Sequence, residues 1–199
     1  RNSHRSTARG NVLSGKHLDI GRRGDLIRLW WSHDVLIEGN DVAGGRDVVL
    51  WYSKRLTIRD NTVRNGRYGI HFMYCDDAKV VGNYFHGNSV GSFLMYSSDV
   101  HLERNWIENN RGASGYGVGL KDMESYVLKE NVVVNNRTAI FMEGASGEVS
   151  GNLIGYNERG ATIFTSCRNN AFHDNAFIEN GEQVVVEGNT TLAAGNQWR

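Results

Sequence analysis

The stretch that decides the fold runs from Gly66 to Ser97 and reads GRYGIHFMYCDDAKVVGNYFHGNSVGSFLMYS. It holds one unit and most of the next, because the segment GIHFMY that begins at Gly69 matches the segment GSFLMY that begins at Gly91, 22 residues later. A repeat of this length is typical of solenoid proteins, in which a single unit cannot bury its own apolar face and neighbouring units stack.

The same unit recurs along the chain and is marked by an asparagine. Successive markers are 21, 22, 22, 26, 21 and 23 residues apart. An apolar residue stands three positions before each marker, another stands two positions after it, and Gly or Asn stands five positions after it. Three columns that keep their residue class through seven units indicate a real repeat. The markers are Asn40, Asn61, Asn83, Asn105, Asn131, Asn152 and Asn175.

Within a unit the apolar residues alternate, as at Ile70, Phe72 and Tyr74, which predicts a strand with one face inward. No helical periodicity of useful length is present. Three short strands per turn, separated by Asn and Gly corners, predict an all-β fold: a single right-handed parallel β-helix of about 22 residues per coil. The marker asparagines are then expected to form a structural ladder of side-chain hydrogen bonds from coil to coil, not a catalytic row.

Two apolar columns are expected inside this coil. One column is Ile58, Val80, Leu102 and Leu128, and the other is Val63, Phe85, Ile107 and Val133.

The whole chain is predicted to be one β-helix domain. We expect an irregular first coil over 1–24, regular coils over about 25–185 and a frayed end over 186–199. Asn189 and Asn196 compete to be the next marker, and Trp198, two positions after Asn196, favours the latter. The open ends of such a coil expose unpaired strands, so we expect a fragment of a longer solenoid.

Composition excludes several classes of protein. The 22 basic and 22 acidic residues give zero formal net charge, which argues against a nucleic-acid binder. No apolar run is long enough for a direct membrane span, and no signal peptide is visible, so the chain starts inside a longer protein or is cytoplasmic. Cys75 and Cys167 fit neither a disulfide scaffold nor a zinc site. At about 4.8 Å per coil they lie too far apart to pair, so both are expected to be free.

The unit between Asn105 and Asn131 is longer by about four residues, and the extra length falls in the segment from Arg111 to Gly117. Insertions in solenoids leave the coil as loops, often on the binding face. A tolerated surface loop explains the insertion equally well.

Between the inward residues of one strand in each coil lie two outward columns with an unusually apolar composition. Such a face marks an interaction site or a surface covered by another segment, and both interpretations stay open. One column is read as Arg28, Val49, His71, Phe93, Gly119, Ile140 and Ile163. The other is read as Trp30, Trp51, Met73, Met95, Lys121, Met142 and Thr165.

Within this face His71 and Met73 are two residues apart and so share one side of a strand, and Met95 is expected to stack on Met73 from the next coil. An imidazole and two thioethers at about one coil spacing are a plausible soft site for Cu(I). A lone surface histidine near methionine is the plainer interpretation. Cys75 could add a thiolate, but it is more simply a small buried corner residue.

A carbohydrate-active enzyme is the competing function class, because many β-helix proteins act on polysaccharides through clustered carboxylates. The acids that could serve are Asp76, Asp77, Asp122, Glu124 and Glu143, and Asp122 and Glu143 are expected to share a column in neighbouring coils. Such a pair could support acid–base chemistry or hold a cation, whereas a solvated corner balanced by Lys121 is the simpler explanation.

The segments from Gly45 to Ser53, Gly66 to Tyr74, Gly87 to Ser97 and Gly115 to Asp122 resemble NosD, the periplasmic β-helix protein of nitrous oxide reductase maturation. The specific motifs cover about Gly24 to Glu143. The resemblance implies a secreted precursor, a copper-related role in assembling the copper–sulfur centre of the reductase, and three partners: the reductase, a copper chaperone and an ABC transporter. The family's signal peptide is missing here, and the chain is roughly half the family's usual length.

The sequence and the resemblance therefore predict two alternative functions. The first is a non-enzymatic periplasmic maturation factor that receives copper, with or without sulfur, at His71, Met73 and Met95. Its partners would dock on a face that includes Trp30, Trp51, Phe93, Lys121 and Met142. The second is a carbohydrate-active β-helix, either a lyase, an epimerase or a sugar-binding module.

Overall fold

The computed structural model describes residues 1–187, 190–192 and 195–199. In these residues nearly all regular structure is β-strand, and the one helix is the short 3-10 turn Ile20–Arg22. Every strand pairing is parallel and joins one coil to the next. The protein is thus a parallel β-solenoid, as the repeat predicts, with about 22 residues per turn. The handedness of the coil stays a prediction.

Each regular coil contributes one strand to each of three sheets, in the order sheet 3, sheet 1, sheet 2. The described strands of sheet 1 are Thr7–Arg9, Val35–Glu38, Lys54–Arg59, Asp76–Val81, Val100–Glu103, Tyr126–Lys129, Gly147–Ser150, Asn170–His173 and Thr190–Leu192. Those of sheet 2 are Val12–Ser14, Asp41–Ala43, Thr62–Arg64, Tyr84–His86, Trp106–Glu108, Val132–Val134, Leu153–Gly155, Ala176–Ile178 and Gln197–Trp198. Those of sheet 3 are Ile27–Trp30, Asp47–Trp51, Tyr68–Met73, Val90–Ser98, Tyr116–Glu124, Thr138–Glu143, Arg159–Ile163 and Glu182–Val186.

The two predicted internal columns are confirmed. Val80 pairs with Ile58 on one side and Leu102 on the other, and Phe85 pairs with Val63 and Ile107. All of these side chains are buried. Sheet 3 completes the interior with Ile70, Phe72, Leu94, Leu120 and Met142, so one apolar column runs along the solenoid.

The asparagine ladder is also confirmed. The side-chain oxygen of Asn61 accepts hydrogen bonds from the backbone N–H and the side-chain amide of Asn40, at 3.0 and 2.8 Å. The same two bonds repeat down the row, and Asn196 receives them from Asn175 at the last step. The competing Asn189 lies outside the described residues. Because each buried amide is satisfied by its neighbours, the row stabilises the corner.

A second ladder follows five residues after the first, where the sequence shows Gly or Asn. The side-chain oxygen of Asn110 accepts the backbone N–H of Asn88 at 3.0 Å, and the pattern continues through Asn136 and Asn157 to Asn180. Two buried amide ladders therefore flank sheet 2.

The first coil departs from the regular pattern of the later coils. Its strands Thr7–Arg9 and Val12–Ser14 pair in register with the next coil, but a loop with the turn Ile20–Arg22 precedes sheet 3. The prediction for the cysteines is confirmed, since Cys75 and Cys167 are both free and buried.

The outward columns need a correction beyond Lys121. Gly119 pairs with Phe141 and Lys121 pairs with Glu143, so sheet 3 advances by 22 residues here although the asparagine ladder advances by 21. The predicted columns assumed a spacing of 21 residues at this step and are therefore wrong by one residue. In a strand, an error of one residue places a side chain on the opposite face. Ile140, Met142 and Ile163 are therefore inside the core, each at most 1% exposed, and Thr165 lies in the turn after its strand.

The same correction separates two acids that the sequence placed in one column. Glu143 stands opposite Lys121, whereas Asp122 occupies the left-handed corner that follows, at φ 50°, and is next to Gly144.

Candidate functional site

The outward face of sheet 3 has two outer columns that the strand register defines. The first outer column is Arg28, Val49, His71, Phe93, Gly119, Phe141 and Thr162. The second outer column is Trp30, Trp51, Met73, Met95, Lys121 and Glu143.

His71 is the unusual residue of this face. Although it points away from the core, it is only 7% exposed, and neither ring nitrogen has a hydrogen-bond partner. Burial lowers the pKa of His71 below its ordinary 6.5, so the ring is neutral at neutral pH. A buried imidazole normally bonds through at least one nitrogen, and leaving both unpaired costs free energy. The neutral ring therefore has one nitrogen whose lone pair is free to bind a ligand.

Three aromatic rings form a collar around His71. Tyr68 lies at 4.8 Å between ring centroids, Trp51 meets the imidazole edge-on at 5.7 Å, and Phe93 lies at 6.3 Å. The indole nitrogen of Trp51 is also buried without a partner. This collar explains how a residue on an outward face loses its contact with water.

Tyr68 is held in place by an ion pair. Asp47 is 3% exposed and accepts hydrogen bonds from the Nε and Nη2 atoms of Arg67 and from the backbone N–H of Tyr68. The guanidinium carbon of Arg67 lies 4.7 Å from the centroid of the Tyr68 ring. Asp47 thus fixes both the ring and the cation beside it.

The predicted metal-binding residues lie on one outward face, and their role as ligands stays a prediction. His71 and Met73 lie on one strand and face outward, and Met95 is the register partner of Met73 in the next coil. Both methionines are half-buried. Cys75 does not join them, because it lies in the core and its thiol donates to the Leu50 carbonyl at 2.9 Å. Burial raises the pKa of Cys75 to about 12, so it is no thiolate.

Four of the five predicted docking residues are outward. Trp30, Trp51 and Phe93 are half-buried, and Lys121 donates to Glu143 at 2.8 Å. Arg28 lies 5.8 Å from the rings of both Trp30 and Trp51. Met142 is wrong in this set, since it is fully buried and contacts Tyr126 inside the solenoid.

An aromatic ridge beside the second outer column was not predicted from the sequence, where Tyr74 was expected to alternate inward; it is exposed and follows the end of its strand. Trp31, Tyr52, Tyr74 and Tyr96 occupy one corner in successive coils, with ring centroids 5.1–5.2 Å apart and nearly parallel planes. All four backbones are left-handed, at φ 51–56°. Bulky residues adopt this conformation at a cost, and Asp, Asn or Gly fill many other corners of this kind. The spacing of these residues, 21 and then 22 residues, was the signal that could have found the ridge.

The carboxylates give little support to acid–base chemistry. Asp76, Asp122 and Glu124 line one surface cavity with Tyr96. Burial opposes ionisation of Asp76, but hydrogen bonds from Lys54 and Ser98 outweigh it and lower the pKa of this carboxyl. A general acid needs the opposite shift.

In the described part of the chain, no three His, Cys, Asp or Glu side chains are grouped so that they could hold a metal ion. A site built from His71 and two thioethers falls outside that group of residue types. Across the same residues, no helix has the length and apolar character needed to cross a membrane.

Comparison with known families adds to this geometry. Residues 9–199 match the family described as "Periplasmic copper-binding protein (NosD)". The chain belongs to the NosD family. Membership assigns the protein a copper-related role, and the family is periplasmic. No curated protein matches the chain.

Among solved structures, the chain is similar to the A-module of mannuronan C-5 epimerase AlgE4 from Azotobacter vinelandii. The TM-score is 0.56 at 15% identity, and the match covers 94% of this chain and 57% of that one. At this identity the likeness shows the fold alone. The chain thus spans little more than half the length of that module.

The residues on the outward face fit the metal that the family name implies. Copper in the reduced state prefers thioether and imidazole donors, and this face offers two thioethers and one imidazole without a partner.

Proposed function

We propose that this protein is a non-enzymatic maturation factor that receives Cu(I) at His71, Met73 and Met95 and presents it to a client protein. The observation that carries the proposal is the buried imidazole of His71, which has no partner at either nitrogen although it sits on an outward face.

The donor set favours a soft monovalent cation. Both thioethers and the imidazole are uncharged. They therefore bring no negative charge to balance the two positive charges of a divalent ion. Thioethers need no deprotonation, and His71 is already neutral because burial lowers its pKa. Hard divalent ions such as Mg²⁺ and Ca²⁺ instead require oxygen ligands. By family resemblance the same role would extend to sulfur for the copper–sulfur centre.

The outward face also supports docking of protein partners. Trp30 and Trp51 are half-buried beside the exposed rings of Trp31, Tyr74 and Tyr96, so apolar surface surrounds the methionines. Aromatic residues of this kind are typical anchors of interfaces. By family resemblance the partners would be nitrous oxide reductase, a copper chaperone and an ABC transporter in the periplasm.

A competition titration with a Cu(I) chelator tests the proposal. Wild type should bind Cu(I), and the triple variant His71→Ala, Met73→Ala, Met95→Ala should bind roughly 100-fold more weakly or worse, a loss of about 2.8 kcal/mol or more. The matched control changes Lys121, Phe141 and Glu143 to Ala on the same two outer columns and should bind as wild type does. Circular dichroism checks that all three proteins are folded. Equal binding by wild type and the first triple variant would refute the site.

A further inference from the structure

The ring of Tyr68 stands where it can control access to His71. Its centroid is 4.8 Å from the imidazole, and it continues across the face to Phe93, at 5.8 Å and an interplanar angle of 22°. His71 is 7% exposed while Tyr68 itself is half-buried. The tyrosine ring is therefore partly exposed to solvent and contacts the histidine, which is not.

An ion pair between the buried Asp47 and the partly exposed Arg67 holds this ring in place. Asp47 accepts the backbone N–H of Tyr68 at 3.2 Å and the Nε of Arg67 at 3.0 Å, and a second guanidinium nitrogen of Arg67 also bonds to it. Hydrogen bonds between ionised groups are about twice as strong as neutral ones. Arg67 is then fixed over the Tyr68 ring at 4.7 Å, where the attraction between cation and ring is favourable.

The backbone is irregular at this point. Asp47 pairs with Tyr68 and Val49 pairs with His71, so the strand of Tyr68 has one more residue in this interval than its partner. An extra residue of this kind bends the strand and redirects a side chain, and such bulges are over-represented next to functional sites. Here the bulge lies between Tyr68 and His71, the residue that the Tyr68 ring covers.

We propose that Tyr68 is the gate of the His71 pocket and that Arg67 and Asp47 latch it closed. The gate sets how fast a metal ion enters and leaves, so this inference rests on the proposed function and adds its regulation. Arg67 and Asp47 are positioning residues, since they contact the gate and act on the pocket through it. The rival interpretation is that Tyr68 merely packs on its neighbours.

The chain provides a matched control at Tyr116. This residue lies in the column of Tyr68, two coils later, and stacks on Phe141 at 4.3 Å. It meets the collar ring Phe93 at 6.2 Å, and its own ring is not in contact with His71. Removing its ring should disturb packing about as much as removing that of Tyr68, without opening the pocket.

Carbethoxylation of His71 by diethyl pyrocarbonate in the metal-free protein tests the gate. The reagent attacks neutral imidazole, and peptide mass spectrometry reports each histidine separately, so exposed histidines such as His17 serve as internal references. A gate that is open roughly 0.1–10% of the time predicts a 10- to 1,000-fold faster reaction at His71 in Tyr68→Ala. Tyr68→Phe, which keeps the ring, and Tyr116→Ala should react as wild type does.

Two results would overturn the gate. One is a wild-type His71 that already reacts as fast as His17, and the other is an unchanged rate in folded Tyr68→Ala. If that variant does not fold, Arg67→Gln decides the matter. It keeps the ring but removes the latch, so it should speed the reaction at His71 by a smaller factor, and an unchanged rate refutes the proposal.

Metal kinetics distinguish failure of the gate from failure of the proposed function. With Ag(I) as a probe in stopped-flow mixing, Tyr68→Ala should raise the association and dissociation rates by similar factors and leave the dissociation constant nearly unchanged. A change in affinity alone would make Tyr68 a binding residue and overturn the gate. If wild type binds no soft metal, the proposed function fails, while the reaction of metal-free His71 still tests the gate.

Discussion

The outward face of sheet 3 has two halves that differ sharply. The N-terminal half, on the strands Asp47–Trp51, Tyr68–Met73 and Val90–Ser98, combines aromatic rings and thioethers with an imidazole that has no partner. The C-terminal half, on Tyr116–Glu124 and Thr138–Glu143, replaces the methionine column with an ion pair between Lys121 and Glu143.

Both halves share the same inner structure. Leu94 and Leu120 are register partners, both fully buried, and the asparagine ladder passes both halves without a break. The comparison teaches that the coil leaves the outer columns free to vary. Function can therefore be placed on one half of a face by outward side chains and one local bulge, while the interior of the coil stays the same.

The largest expected effect concerns the shared interior. Leu94→Ala and Leu120→Ala should each lower the free energy of unfolding by about 2–5 kcal/mol, because both leave a cavity in the same column. Denaturant melts at constant pH give the two values. A loss below about 0.5 kcal/mol at either position would contradict its burial and break the equivalence of the halves.

Removing one asparagine of the ladder should lower the free energy of unfolding by a smaller amount, and by about the same amount in both halves. Asn61→Ala and Asn131→Ala each leave two buried donors of the preceding asparagine without an acceptor. Each variant should lose about 1–3 kcal/mol of unfolding free energy, the cost of unsatisfied buried groups. The exposed Asn109 is the control and should change little when it is replaced by Gly, which tolerates its left-handed backbone.

The pH dependence of stability should distinguish the halves. Burial lowers the pKa of His71 below 6.5 in the folded protein, so below pH 6.5 the unfolded chain takes up a proton that the folded one refuses. This contribution is absent above pH 6.5, and it makes the free energy of unfolding fall as pH drops toward the folded pKa.

His71→Phe is the control for this prediction. The difference in stability between this variant and wild type should change between pH 7.5 and pH 5, and comparing the two proteins cancels His173, whose pKa is raised by Asp174. A difference that is constant over this range would show that His71 is not buried.

The smallest effect belongs to the C-terminal half. A double-mutant cycle on Lys121 and Glu143 should give a coupling energy of about 0.2–1 kcal/mol, because both side chains are partly exposed to water and salt. The cycle measured in 1 M NaCl should give less. A coupling above about 2 kcal/mol would mean that this half also holds a buried polar site.

Much of the fold followed from the sequence because its signals are local and repeated. Seven markers and two apolar columns define the coil, and the ladder could be named residue by residue. The outer columns were correct only as far as Lys121, because the marker spacing and the sheet 3 spacing differ by one residue in that unit. A slip of one residue moved Met142 from the core to the surface in the prediction.

The site was predictable in part. His71, Met73 and Met95 could be grouped from their spacing of two residues and one coil, since strand alternation is a local rule. The collar was not predictable, because Tyr68 reaches His71 across a bulge that no repeat announces. The same applies to the latch, in which Asp47 and Arg67 come from different coils.

The sequence by itself determined the coil, its length and the inner columns of sheets 1 and 2, because backbone pairing and apolar burial repeat with every unit. Only the tertiary structure decided that His71 is buried on an outward face, that both of its nitrogens lack partners, and that Tyr68 covers it. The physical reason is that burial and hydrogen bonding of an outward side chain depend on rings from neighbouring coils, whose orientation the repeat does not specify.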